Sequence, residues 1–217
     1  DIPLDLNSEE SSELLLSEID RILASSTISL DRIIGIGISM PGFVNSELGV
    51  NESYINTHPL YEIKSRIEKK YKLTTIIEND SRCIAIAEKE FGAAKYIEHS
   101  LIINLNWGVG LGIIINGTVF KGESGFAGEF SHIPLSDNNT LCSCGKRGCL
   151  EVEASLDAAI RSTENDIQNN EYSIYSTFVK SNLNKIDALI EATHVGDQIA
   201  INNIGKIGYM LGKGIST

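Results

Sequence analysis

Few residues in this sequence point to a membrane, secreted or nucleic-acid-binding protein. Its 217 residues include only four cysteines, four prolines and one tryptophan. No uncharged apolar run reaches the roughly 18 residues of a membrane span. The 18 basic residues form no cluster, and 29 acidic residues bring the net charge to −11, so the chain itself should repel nucleic acid. With sparse cysteines and no leading secretory segment, we expect a cytoplasmic protein.

Three of the four cysteines nevertheless lie close together in the sequence. Cys142, Cys144 and Cys149 follow His132 within a glycine-containing segment that ends in CSCGKRGCLE at 142–151. A Cys3His set suits tetrahedral zinc with a structural role, because four protein ligands leave no open position. A disulfide from Cys149 to Cys142 or Cys144 and inert thiols are the open alternatives. Cys83 is expected to be a core thiol.

The spacing of apolar residues predicts alternating helices and strands, which is typical of an α/β fold. A capping box at Asn7 and Glu10 predicts the first helix. The predicted helices cover 8–24, 60–71, 81–91, 183–190 and 200–211. The predicted strands cover 33–39, 74–78 and three segments of 101–122, with an Asn116-Gly117 hairpin turn between the second and the third of these segments. Residues 163–173 are predicted to form a loop or a weak helix.

Two polar residues follow the strand predicted at 74–78. Asn79 and Asp80 stand where ligands bind in open α/β sheets, outside the carboxyl ends of the strands. Asp80 could equally serve only as the N-cap of the next helix. Glycines at 108, 110 and 112 alternate along one strand face, but they match neither a dinucleotide fingerprint nor a P-loop.

Several segments resemble the ROK family, the repressors, open reading frames and kinases. They are GISMPGFV (37–44), IEND (77–80), GVGLGIIINGTVFKG (108–122), AGEFSH (127–132) and CSCGKRGCLE (142–151). The resemblance implies an α/β, actin-like ATPase, ribonuclease H-like (hexokinase-type) fold. It would have two lobes with a sugar cleft and be truncated at both ends. Residues 1–98 would be the remainder of the N-terminal lobe, and 99–217 the C-terminal lobe.

The same resemblance implies a set of sugar-binding residues. In the family's kinases, the aspartate matching Asp80 is the general base, and the asparagine matching Asn79 hydrogen-bonds the sugar. The positions matching Glu129, His132 and Glu151 bind further hydroxyls, and the histidine also binds zinc. Fixed carboxylates are strong hydrogen-bond acceptors, which agrees with this assignment.

Two departures from the kinase pattern favour a regulator. No Asp-x-Gly-x-Thr hairpin precedes Ile33, which truncation would also explain. Where the kinases carry a Gly-Thr-Gly turn for phosphate, this chain has Asn106, Trp107 and Gly108. Ser131 replaces a family glycine as a milder change.

We therefore predict the sugar-sensing effector domain of a ROK-family transcriptional repressor, without catalytic residues. Its partners would be a small sugar, DNA through a domain outside this sequence, and a second copy in a homodimer or higher oligomer. One alternative is a hexose kinase that uses ATP and magnesium, with Asp80 as the general base. Another is a zinc-stabilised binding module without sugar specificity.

Overall fold

The computed structural model describes residue 6 and residues 8–217, so the predicted capping box at Asn7 lies outside the described residues. The chain divides into two compact units. Unit 1 comprises the described residues up to Ser100 together with Ile113–Ala127, and unit 2 comprises Leu101–Gly112 with Gly128–Thr217. This division differs from the single boundary predicted at 98/99, because the hairpin strand within 113–127 packs against a helix of unit 1.

Unit 1 places two parallel strands beside helices whose apolar faces bury a shared core. Its main elements are α1 (Ser11–Ser25), β1 (Ile36–Met40), β2 (Val44–Asn45), β3 (Val50–Asn51), α2 (Ile63–Tyr71), β4 (Thr75–Asn79) and α3 (Asp80–Glu90). Ile63 and Ile67, one turn apart on α2, pack with Leu60 and Ile77 at zero exposure. The 3.6-residue period of α2 therefore sets the face that covers β4.

The two strands β1 and β4 end at the same edge of their sheet. They pair in parallel, with Met40 opposite Asn79, so that Pro41 follows the carboxyl end of β1 and Asp80 follows that of β4. β1 begins three residues later than predicted, and its residues alternate between partly buried and exposed positions up to buried Met40. Parallel pairing brings distant polar residues to one edge.

The glycine-containing segment forms a three-stranded sheet with the order β5–β6–β7. Its strands are β5 (Ser100–Leu105), β6 (Val109–Ile115) and β7 (Thr118–Val119). Asn116 and Gly117 connect β6 to β7 with φ values of 52° and 72°. Two left-handed central residues are what a two-residue hairpin turn requires, so the predicted hairpin is confirmed.

Unit 2 is mostly helical after the cysteine-containing segment. Its helices are α4 (Leu150–Ala154), α5 (Leu156–Gln168), α6 (Tyr175–Lys180), α7 (Lys185–His194) and α8 (Gln198–Ile215). α5 includes six residues of the segment predicted as a loop or a weak helix, because Asn203 Nδ2 donates to Thr163 Oγ1 at 3.1 Å and to Asp166 Oδ2 at 2.9 Å. Tertiary hydrogen bonds thus support a helix that the polar composition disfavoured. Within the described part of the chain, no helix combines the length and the apolar character needed to cross a bilayer.

Candidate functional site

The structure brings the four predicted metal ligands of unit 2 together. One ligand atom from each of His132, Cys142, Cys144 and Cys149 lies within 4.8 Å of every other. Cys142 Sγ is 3.5 Å from His132 Nδ1, and Cys144 Sγ is 3.7 Å from Cys149 Sγ. Cys142 and Cys149 are buried, whereas Cys144 and His132 are partly exposed.

These separations match those of ligands around one tetrahedral ion. Sulfur at about 2.3 Å and nitrogen at about 2.0–2.1 Å from zinc, at tetrahedral angles, lie roughly 3.5–3.8 Å from one another. A disulfide would require the two sulfurs at about 2.05 Å. The Cys144–Cys149 separation is far longer than a disulfide bond, and all four cysteines are free. The cluster is compatible with a structural metal.

A short folded loop positions the thiols of this cluster. Cys142 N–H donates to Lys146 O at 2.8 Å, and Gly145 N–H donates back to Cys142 O at 2.9 Å. Gly145 has φ +85°, and Gly148 has φ +68°. A Cβ on Gly148 would lie 2.0 Å from Ser136 O, so only glycine lets the loop close against that carbonyl.

The thiols of the loop differ in their acidity. Burial raises the pKa of the Cys149 thiol to about 12, and its cysteine neighbours add to the shift. Burial also disfavours the Cys144 thiolate, but the backbone N–H of Lys146 and the neighbouring thiols outweigh it, so the pKa of Cys144 lies below its ordinary value. A divalent cation would supply the positive charge that lets these thiols ionise together.

Two carboxylates flank the metal cluster within unit 2. Glu129 immediately precedes a 3₁₀ turn over Phe130–His132, and His132 N–H donates to Glu129 O at 3.3 Å, so Glu129 and His132 share one turn. Glu151 lies in the first turn of α4, with Oε1 4.0 Å from Cys142 Sγ. The cysteine loop therefore holds Glu151 near the histidine ligand.

The Glu151 carboxylate also lies against Gly108, which is in the turn that precedes β6. A Cβ built on Gly108 would be 2.9 Å from Glu151 Oε2, which is closer than a real Cβ contact. The absence of a side chain at Gly108 is what gives Glu151 its position. At Gly108, therefore, it is a side chain of the protein itself that closely approaches the backbone.

In unit 1, Asn79 rather than Asp80 caps the helix that follows β4. Asn79 Oδ1 accepts from Ser81 N–H at 3.0 Å and from Arg82 N–H at 3.1 Å. Its Nδ2 donates to Gly42 O at 3.0 Å, which links the ends of β4 and β1. Asp80 is the first helical residue, so the alternative that Asp80 is only an N-cap is wrong.

One oxygen of the Asp80 carboxylate accepts hydrogen bonds from the next residue of the chain. Oδ1 accepts from Ser81 N–H at 2.7 Å and from the Ser81 hydroxyl at 3.3 Å. Among the described residues, none donates to Oδ2. Position at the helix N-terminus stabilises the negative charge of Asp80, so the side chain can present a charged acceptor beyond the strand end.

An ion-pair network that the sequence analysis missed lies behind this strand end. Arg82 Nε donates to Glu78 Oε1 at 2.6 Å, and Lys121 Nζ donates to Glu78 Oε2 at 2.6 Å. Arg82 also donates to Val44 O and to Gly125 O. The i, i+4 spacing of Glu78 and Arg82 was the available signal, but Lys121 is 43 residues away in sequence.

Two backbone N–H groups of the turn at 106–108 are hydrogen-bonded to acceptors of the same turn. Asn106 N–H donates to Gly108 O at 2.9 Å, and Trp107 N–H is satisfied by Asn106 Oδ1 at 3.0 Å. Asn106 O accepts from Leu156 N–H at 2.9 Å, which ties the turn to the start of α5. The indole of Trp107 is 52 % exposed.

Comparison with known proteins places these features in a family. The ROK family profile matches residues 5–217. The chain belongs to the ROK family. The predicted family is thereby confirmed, and the chain spans about half the length of the curated repressors that it matches.

Its ROK relatives include both regulators and a kinase. The chain is 30% identical to the xylose repressor of Bacillus subtilis, over 98% of this chain and 52% of the repressor. It is 32% identical to the N-acetylglucosamine repressor of Escherichia coli O6:H1, over 93% and 49%. It is also 30% identical to the glucokinase of Halalkalibacterium halodurans, over 97% and 66%.

Solved ROK structures show the same fold. A ROK family transcriptional regulator, a homologue of the Escherichia coli MLC protein, aligns with a TM-score of 0.77 and 33% identity, over 94% of this chain and 51% of that one. A ROK family glucokinase from Streptomyces griseus, in complex with glucose and AMPPNP, aligns with a TM-score of 0.80 and 23% identity, over 96% and 67%. The predicted α/β, actin-like ATPase (hexokinase-type) fold is confirmed.

Proposed function

We propose that this chain is the sugar-binding effector part of a ROK-family transcriptional repressor. The observation that carries the proposal is the 106–108 turn. Phosphate binding in loops depends on small residues and outward-facing backbone N–H groups. Here the N–H groups of Asn106 and Trp107 are already bonded within the turn, and the Trp107 side chain adds bulk. The similarity to two sugar-named repressors supports the same conclusion.

We propose two sets of residues as acceptors for sugar hydroxyls, and each set lies within a single unit. Asn79 and Asp80 form the first set, and Glu129, His132 and Glu151 form the second. Sugar hydroxyls donate to fixed carboxylates through charge-assisted hydrogen bonds, which are about twice as strong as neutral ones. Selectivity for one sugar would arise because a missing hydroxyl leaves without a partner an acceptor that the bound sugar shields from water.

We propose zinc as the metal held by His132, Cys142, Cys144 and Cys149. Three thiolates and one imidazole are preferred zinc ligands, and a full tetrahedral set gives the ion a structural role. Nδ1 of His132 lies 3.5 Å from Cys142 Sγ, so zinc bound to Nδ1 would place the ring proton on Nε2 as a hydrogen-bond donor. The metal would thus orient His132 and hold Glu151 near it.

Sensing would follow from a difference in sugar affinity between two conformations of the complete regulator. A sugar that binds one conformation better shifts the population towards it, and only that difference has an effect. DNA would be contacted through a segment other than these 217 residues, because their net charge is −11. We expect two copies to read paired half-sites as a homodimer.

A sugar kinase is the second candidate function. Asp80, with its Oδ1 held by Ser81, occupies the position of the family's general base, and a glucokinase is among the relatives. In this case ATP and magnesium would be cofactors, and Asp80 would take the proton of the attacking sugar hydroxyl.

A combined binding and turnover experiment separates these candidates. The protein is titrated calorimetrically with xylose, glucose and N-acetylglucosamine, and is then incubated with the bound sugar, ATP and magnesium. A sensor binds a sugar and forms no more sugar phosphate than its Asp80→Asn variant does. Turnover at about 1–100 s⁻¹, lost in Asp80→Asn, would instead show a kinase. If no sugar binds, the chain is a zinc-stabilised module without sugar specificity.

A further inference from the structure

A pocket of about 240 Å³ opens beside Glu151, entirely within unit 2. Trp107, Leu141 and Val152 provide its apolar lining, and its polar groups include those of Glu151, Asp157 and Arg161. The volume is below the roughly 300–1,000 Å³ of sites for drug-sized ligands, so the pocket suits a single small ring. No metal ligand lines it, although Glu151 connects it to the metal cluster.

Trp107 gives this pocket an exposed aromatic surface. Trp107 is 52 % exposed, and it is the only tryptophan of the chain. Its backbone is fixed by the hydrogen bonds of the 106–108 turn and by the link from Asn106 O to Leu156. A rigid, exposed indole has a large apolar face and only two side-chain torsions to immobilise, which makes it an effective binding platform.

The charges around the pocket disfavour an anionic ligand. The single cation, Arg161, is paired through Nε with Asp157 Oδ2 at 2.8 Å, and its Nη2 donates to Val152 O at 3.2 Å. Because Asp157 neutralises Arg161, the carboxylate of Glu151 gives the pocket lining a net negative charge. A phosphate or a nucleotide would meet a carboxylate and no uncommitted cation, whereas a neutral ligand rich in hydroxyls would find acceptors.

We infer that this pocket is a second sugar subsite, in which the apolar face of a neutral glycosyl unit stacks on Trp107. The inference rests on the proposed function, because Glu151 would bind the first sugar and border the second. The effector class is then a disaccharide or another glycoside rather than a free monosaccharide. Trp107 would serve as a recognition residue at the position where the family's kinases hold phosphate.

Matched sugar pairs test this subsite on the metal-replete protein. Glucose is compared with maltose and cellobiose, xylose with xylobiose, and N-acetylglucosamine with its β-1,4-linked dimer. We expect one disaccharide to bind about tenfold more tightly than its monosaccharide by calorimetry. The same disaccharide should change the fluorescence of Trp107, which is the only tryptophan of the chain.

Variants assign the gain to the indole. Trp107→Ala should lower the ratio of disaccharide to monosaccharide affinity to about one, and Trp107→Phe should retain most of the ratio. Tyr209→Ala is the control, because Tyr209 is an aromatic residue of α8 that is 73 % exposed and does not line the pocket. This control should leave the ratio unchanged.

The possible failures are distinguishable. If monosaccharides bind and no disaccharide gains affinity, the second subsite is refuted and the proposed sensing function stands. If ATP or AMP changes the Trp107 fluorescence while disaccharides do not, the pocket binds a nucleotide and the inference is wrong. If no sugar binds at all, both the inference and the proposed function fail.

Discussion

The two units of this protein position their polar residues by different physical means. In unit 1, the strand end that carries Asn79 and Asp80 is supported by the ion pairs of Glu78 with Arg82 and Lys121. In unit 2, Glu151 follows a loop that contributes to a group of four ligand atoms compatible with one metal ion. The first arrangement is complete with the protein's own charges, whereas in our proposal a cation completes the second. Metal availability should therefore affect only one of them.

Loss of a metal ligand is expected to have the largest effect. Cys144→Ser should abolish metal binding and increase hydrogen exchange in residues 130–155. Metal binding contributes to folding in such loops, on the order of 10–16 kcal/mol for isolated zinc-finger peptides. Metal content by mass spectrometry and exchange rates by residue give the measurement.

Cys83→Ser is the matched control for the Cys144 variant, because Cys83 lies in α3 of unit 1. It should keep the metal content of the wild type. Equal metal content in Cys144→Ser and the wild type would refute the assigned ligand set.

Loss of the buried arginine should give the next largest effect, and in unit 1 only. Arg82→Met leaves Glu78 without its buried partner, and removing one member of such a pair destabilises by about 3–5 kcal/mol. The side chain of Arg82 is 4% exposed, whereas that of Lys121 is 40% exposed. Lys121→Met should therefore lose only about 0–1 kcal/mol.

Urea unfolding combined with hydrogen exchange in β4 and α3 distinguishes these two variants. Equal destabilisation by Arg82→Met and Lys121→Met would contradict the role given to burial. Metal content should remain that of the wild type in both variants.

Asp80→Asn tests sugar binding without a large change in unit 1. A hydrogen bond to a charged group contributes about 1.5–3 kcal/mol, so sugar affinity should fall roughly 10- to 150-fold. Calorimetric titration provides the affinity. Glu90→Gln, at the exposed end of the same helix, is the control and should bind like the wild type.

The pH dependence of the free energy of unfolding should reveal the contribution of the Glu78 ion-pair network. Burial raises the pKa of Glu78, but hydrogen bonds from Lys121 and Asn79 N–H and the charge of Arg82 outweigh it, so the pKa lies below the ordinary value of 4.5. A depressed folded-state pKa gives stability that is present above pH 4.5 and lost as the pH falls through the folded pKa. In urea unfolding at several pH values, Glu78→Gln should weaken the loss of unfolding free energy below pH 4.5. An unchanged dependence on pH would contradict the role given to this network.

A glycine substitution should have the smallest effect on stability. Gly108→Ala directs a methyl group at the flexible end of Glu151, so the free energy of unfolding should change by less than about 1 kcal/mol. Sugar affinity should nevertheless fall, because the Glu151 carboxylate has to move. Gly208→Ala, where nothing lies within 4 Å of the added methyl, should leave affinity unchanged. Equal affinities in both variants would remove Glu151 from the site.

The metal cluster could be predicted from the sequence because its ligands are chemically distinctive and local. His132 and the three cysteines fall within 18 residues, and the loop between them is fixed by backbone turns. Glu78, Arg82 and Lys121 could not be predicted as a network, because charged residues are common and Lys121 is distant in sequence. Only the parallel pairing of β1 with β4 and the return of the chain at 113–127 bring the network together.

Boundaries were the weaker part of the sequence-based prediction. Asn and Asp are about equally good N-caps, so a one-residue extension of β4 decided that Asn79 caps α3. The extension of α5 to Gln168 depends on Asn203, which lies on α8. The helix propensities of the α5 residues alone therefore could not predict it. Such tertiary hydrogen bonds decide element ends that composition leaves open.

The central claim is that a metal holds the sugar-binding residues of unit 2 in place without taking part in chemistry. Calorimetric titration of the best-binding sugar into zinc-replete, chelated and zinc-restored protein tests it most directly. The account predicts 1:1 binding in the replete protein, at least about tenfold weaker binding after chelation, and recovery when zinc is restored. Equal affinity in the replete and chelated protein would contradict it.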